Sequence, residues 1–147
     1  MNWIVYAMCA SLLWGLSYTI SEQLLKKISI ASMLITGGIG CIIFGTGLGL
    51  ARGVFSNDLR ELQKPDGPVK LLLAGIAVYV IASAFILLAT KSKNATMAAM
   101  IEISYPLFTA LFAWLIFKQV QVNAGTLAGA SLVMVGVACI YYFGKNL

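Results

Sequence analysis

From 69 to 90 the chain reads VKLLLAGIAVYVIASAFILLAT, a run whose only charge is Lys70. About 20 mostly apolar residues suffice for a helix to cross roughly 30 Å of hydrocarbon. In lipid, a helix has the further merit of satisfying its own backbone polar groups. Four more runs share this character. The predicted spans are about 3–25, 30–51, 69–90, 95–117 and 124–143. Charge usage agrees: 10% of the residues are charged, against about 25% in a soluble domain. The expected fold is an all-α integral membrane protein of five transmembrane helices, a single transmembrane domain over 1–147. The opening MNWIVYAMCASLLWG has no basic leader and too long an apolar stretch for a signal peptide. It reads as a retained membrane helix.

The same composition removes several functions. There is no histidine, the commonest general base and metal ligand. Cys9, Cys41 and Cys139 are far apart with no C-x-x-C, so neither zinc nor a disulfide framework is expected. No phosphate-binding loop of the G-x-x-x-x-G-K-[ST] type occurs. No cofactor, no metal and no enzymatic activity are expected. The net charge of +5 is scattered as singles and pairs between apolar runs. That pattern suits membrane loops and gives nucleic acid no patch to bind.

The connections are KKIS, RGVFSNDLRELQKPDGP, KSKN and KQVQVN. In the long one, Pro65, Gly67 and Pro68 predict a turn. Its middle, VFSNDLRELQK, predicts a short interfacial helix with Val54, Phe55, Leu59 and Leu62 toward lipid. Loop lysines and arginines normally set orientation. Here Arg52, Arg60, Lys64, Lys70 and Lys118 fall on one side, and Lys26, Lys27, Lys91, Lys93 and Lys145 on the other. Five against five leaves the orientation undecided. Two readings stay open: another signal fixes one topology, or the chain inserts both ways. In the second, two opposite copies would pair about an axis in the membrane plane and rebuild an inverted repeat.

Polar residues inside the spans are the candidate site. Glu102, Tyr105 and Thr109 share one stripe of the fourth span, since residues three and four apart lie on one helix face. A carboxyl at lipid depth costs about 2.5–3.5 kcal/mol on insertion scales and normally faces a partner or a wet cavity. It would bind a proton or a cation there; a helix-bridging hydrogen bond is the structural alternative. Pro106 has no N–H for the carbonyl of Glu102, which predicts a kink. In the first span Trp14, Tyr18 and Glu22 are spaced i, i+4, i+8, an arrangement suited to an organic cation through cation–π attraction. Glu22 is equally placed to pair with Lys26. Tyr79 and Ser83 share a face with Gly75 and would line a cavity or pack. The glycines at 45, 49 and 53, and at 125, 129 and 136, read as close-packing faces.

The order of these features resembles one EamA-type unit of the drug/metabolite transporter superfamily. The motifs are LLWGLSY in the first span, LLAT closing the third, a short basic turn, a mid-span YP, and Gly129 and Gly136 in the fifth. The resemblance covers nearly the whole chain. It implies a half-transporter unit whose inverted repeat is completed by dimerisation, because most members carry two such units. It implies transport of a small metabolite or drug across a bacterial or archaeal inner membrane. The expected partners are a second copy of the chain, antiparallel, the lipid bilayer and a small-molecule substrate. The alternatives are a non-transporting subunit for another membrane protein, or part of a lipid-carrier flippase. Where the family often has Gly-Glu after the fourth span, this chain has Phe117-Lys118, so no role is carried over to that position.

Overall fold

The computed structural model describes residues 2–65, 68–120 and 122–144, and every regular element in them is helical. In chain order these are α1 (Trp3–Leu25), α2 (Ile30–Arg52), α3 (Phe55–Leu62), α4 (Val69–Ser92), α5 (Ala95–Glu102), α6 (Tyr105–Phe117) and α7 (Ala124–Phe143). Five segments are long and apolar enough to cross a membrane, with α5 and α6 together forming the fourth, Ala95–Phe117. Each coincides with a predicted span to within two residues at either end. The predicted turn residue Gly67 and the loop charge Lys145 lie outside the described residues.

Lipid must be the solvent. Among the described residues the buried apolar side chains are Leu25, Ala95 and Ala98. Large apolar side chains such as Leu12, Phe44 and Leu132 are 73–75% exposed. In water this surface would cost about 25 cal/mol per Å²; in hydrocarbon it costs nothing. The helices therefore form by backbone satisfaction and length, and little is asked of side-chain packing within one chain.

The chain divides into two compact units. One contains residues 23–88: the last turn of α1, then α2, α3 and most of α4. Here Ser29 caps α2, its hydroxyl accepting from the Ser32 N–H at 3.1 Å. The other end of α2 closes on Gly53, which holds a left-handed φ of +62°. The Gly53 N–H donates to the Leu50 carbonyl at 3.2 Å and the Val54 N–H to that of Gly49 at 3.3 Å. This is the Schellman pattern, which turns the chain sharply and favours glycine. It lays α3 back on α2 so that the Phe55 ring covers Gly49. A Cβ at Gly49 would collide with that ring. Val54, which precedes α3, and Phe55 and Leu59 within it are exposed, and the polar side is knit by Lys64 to Glu61 at 2.6 Å and Arg60 to Asn57 at 2.8 Å. A short helix is present in the predicted stretch.

Within this unit the three glycines at 45, 49 and 53 stand in different surroundings. Gly53 is a helix terminator and Gly49 makes room for Phe55, while nothing lies within 4 Å of a Cβ built at Gly45.

The second unit contains residues up to Glu22 and from Ala89 on: most of α1, the end of α4, α5, α6 and α7. Asn94 caps α5, accepting from the Met97 N–H at 2.8 Å. Asn123 caps α7 and exchanges bonds with Thr126, its side chain accepting at 2.9 Å while its own N–H donates to Oγ1 at 2.7 Å. The helix α5 packs on α7, whose last turn brings the buried Gly144 against the Met97 side chain. The end of α6 is set by Lys118, a non-glycine residue at φ +55°.

Candidate functional site

The fourth span is broken where the sequence places its acid and its proline. Helix α5 stops at Glu102 and α6 starts at Tyr105, with Ile103 and Ser104 between them in a turn. Pro106 offers no N–H to the Glu102 carbonyl. The Leu107 N–H turns to Ser104 at 3.1 Å instead of Ile103. The Ser104 N–H goes to Ile101 at 3.3 Å, and the Ser104 hydroxyl joins it on the same carbonyl at 3.0 Å. Two successive carbonyls, Glu102 and Ile103, thus lose their α-helical donors. The expected kink is a full interruption. Its depth follows from the rise of about 1.5 Å per residue: Glu102 sits about 10 Å from the Ala95 end of the span, a third of the way through the hydrocarbon.

Glu102 has a partner on α1. The Tyr18 hydroxyl donates to Glu102 Oε2, a contact between residues 84 apart in sequence. Both side chains are half-buried. Trp14, one turn earlier on α1, stands 6.0 Å from the Tyr18 ring at a 35° tilt. Three of the residues proposed for the site therefore form one cluster of an acid, a phenol and an indole.

Glu22 lies one turn beyond Tyr18, and its carboxylate is used differently. Its Oε2 accepts from the backbone N–H of Ala95 at 2.8 Å. It caps the first turn of α5, where the helix dipole favours negative charge. Lys26, the partner offered by helical spacing, donates to Gln23 at 3.0 Å. So α1 holds α5 at both ends, Glu22 at Ala95 and Tyr18 at Glu102, and the two segments run antiparallel. In the last turns of α4, Thr90 is only 2% exposed, and its hydroxyl has no hydrogen-bond partner among the described residues.

Of the remaining candidates, Tyr105 lies within electrostatic reach of Tyr18. Tyr105 follows the break and is 62% exposed. Its carbonyl accepts the Thr109 hydroxyl at 3.1 Å. Tyr79 belongs to the other unit. There it lines an apolar groove of about 540 Å³ with Leu62 of α3, Pro68 just before α4, and Leu72, Gly75 and Ile76 of α4. The hydroxyl of Ser83 bonds back to the Tyr79 carbonyl at 2.8 Å, which occupies it within its own helix. Among the described residues no group of three or more Cys, Asp or Glu is placed to hold a metal ion.

The site thus joins a half-buried acid, paired across two helices, to an interrupted span in a chain with five candidate spans. The sequence profile of the EamA-like transporter family matches residues 1–142. The chain belongs to the EamA-like transporter family. It is a multi-pass membrane transporter, and the resemblance read from the motifs is borne out. Comparison with the curated proteins and with the solved structures returned no match. Within this EamA-like transporter, sequence reasoning overlooked the partner of Glu22 and the unpaired hydroxyl of Thr90. The first had one usable signal: Tyr18 and Glu22 share a helix face, so a partner for one places a partner for the other.

Proposed function

We propose that this EamA-like transporter is a secondary carrier that moves a small organic metabolite or cationic drug by alternating access, coupled to protons, as an antiparallel homodimer in a bacterial or archaeal inner membrane. The single observation that carries this reading is the Tyr18–Glu102 contact at the break in the fourth span. A carboxyl inside a span takes up a proton or pairs with a cationic solute, and exchange of one for the other couples their movement. Tyr18 holds one carboxylate oxygen and leaves Oε1 for the exchange. Trp14, beside it, supplies an aromatic face to an organic cation. Discontinuous spans are where carriers place such sites.

The five-against-five loop charges and the sparse burial within one chain support pairing. Gly37, Gly38, Gly40 and Gly45 of α2 have nothing within 4 Å of a built Cβ. Such positions let a neighbouring helix approach closely. The test is uptake by proteoliposomes driven by a pH gradient: Glu102→Gln abolishes it while the assembly remains folded. Gradient-driven uptake at the wild-type rate in that variant removes Glu102 from the mechanism. Pairing is tested by labelling single cysteines at 64 and 93 after replacing Cys9, Cys41 and Cys139. Each site is expected to react from both sides of the membrane; one-sided reaction rules out dual insertion.

A further inference from the structure

Two backbone carbonyls without helical donors, in hydrocarbon, are an energetic problem that the transport reading alone does not address. Each such group costs several kcal/mol unless something binds it. The carbonyls of Glu102 and Ile103 are adjacent, at the end of α5 where the helix dipole adds partial negative charge. The Glu102 carboxylate is on the same residue. Its Oε2 takes the Tyr18 hydroxyl, whose oxygen still has a lone pair to offer. All of these atoms are oxygens, and they carry one full negative charge between them.

From this set we infer that the break binds a monovalent alkali cation, sodium first, through the Glu102 carboxylate and the freed carbonyls of Glu102 and Ile103. The charge decides the valence. Calcium and magnesium sites gather several carboxylates or rely on substrate phosphates. Glu102 is the only acid of α5 and α6. The other acid in reach of α5, Glu22, is fixed on the Ala95 N–H at the opposite end of that helix. One carboxylate with neutral oxygens balances one positive charge. The all-oxygen set excludes soft metals. Among alkali ions, a carboxylate's concentrated charge favours the smaller sodium over potassium. This deepens the transport reading, on which it rests, by naming the ion that shares Glu102 with the proton.

The experiment is equilibrium binding of radiolabelled sodium to the purified full chain in detergent, at constant ionic strength. Saturable binding is expected, displaced by unlabelled sodium chloride and not by choline chloride. Glu102→Gln loses it. Pro106→Ala returns an N–H to the Glu102 carbonyl and weakens binding at least tenfold. Glu61→Gln, on the exposed face of α3, changes it less than twofold. Size-exclusion profile and helical content confirm that each variant is folded. No saturable binding by the wild-type chain overturns the inference, as does displacement by choline chloride equal to that by sodium. Undiminished binding in Pro106→Ala overturns it whatever Glu102→Gln shows. Absent sodium binding with pH-driven uptake that still needs Glu102 sinks the ion assignment and leaves the carrier. Sodium binding without uptake in any gradient sinks the carrier and leaves the site.

Discussion

Tyr18→Phe is the perturbation that weighs the central contact. It removes one oxygen and leaves the ring beside Trp14. In the wild-type background Glu102 then loses its hydroxyl donor at lipid depth. Hydrogen bonds to charged groups contribute about 1.5–3 kcal/mol. Interhelical bonds in membranes average about 0.6 kcal/mol by double-mutant cycles, with a maximum of about 1.7. The Tyr18–Glu102 bond is charge-assisted and half-buried, so it belongs near the upper end of the membrane scale. Tyr18→Phe should therefore destabilise the chain by about 1–2 kcal/mol, a factor of about 5–30 in the unfolding constant. In a Glu102→Leu background no carboxylate is left to desert, and the same substitution should cost nearly nothing. The assay is reversible unfolding by sodium dodecyl sulfate in mixed micelles, followed by helical circular dichroism at fixed protein concentration. The difference between the two backgrounds isolates the pair. Equal cost in both, within about 0.3–0.5 kcal/mol, refutes the contact as an energetic link.

Three further substitutions test the surroundings. Glu22→Ala removes the cap on Ala95 and should cost about 1–2 kcal/mol in the same unfolding assay, by analogy with loss of a helix cap, with exchange of the α5 amides accelerated first. Gly53→Val forces a β-branched side chain into a left-handed backbone and should destabilise by about 1–2 kcal/mol, freeing α3 to protease; an unchanged cleavage rate counts against the turn. Thr90→Val replaces a buried, unpaired hydroxyl by a methyl of similar shape, so stability should hold or rise by about 1 kcal/mol; a loss above that size would reveal a partner for the hydroxyl.

The spans were legible because lipid imposes a length and a composition, and both are local properties of the chain. The 54–64 stretch was legible for a related reason: its apolar residues fall on one side of an eight-residue helix, α3. Pro106 announced trouble at Glu102, since the missing N–H and its acceptor are four residues apart. The extent of the break was not legible, because it depends on where Ser104 and Leu107 send their own N–H groups. The pairing of Tyr18 with Glu102 was beyond reach for another reason. Tyr105, on Glu102's own helix stripe, was as plausible a neighbour until α1 was placed. Glu22 was harder still, since its partner is a main-chain N–H and any residue but proline supplies one. The glycine spacings were legible only as a pattern, because terminator, ring seat and bare surface look alike as letters.

The grip of α1 on α5 has a consequence for biosynthesis. Its two bonds join residues 73 and 84 positions apart. Neither can form until the fourth span has left the ribosome and entered the bilayer. Throughout synthesis of the first two-thirds of the chain, Glu22 and Tyr18 wait without their final partners, and loop closure over such distances is slow. The unit that carries the acid is therefore the last to close, and a nascent chain stalled after α4 presents an unclasped first helix to the cell's membrane quality control.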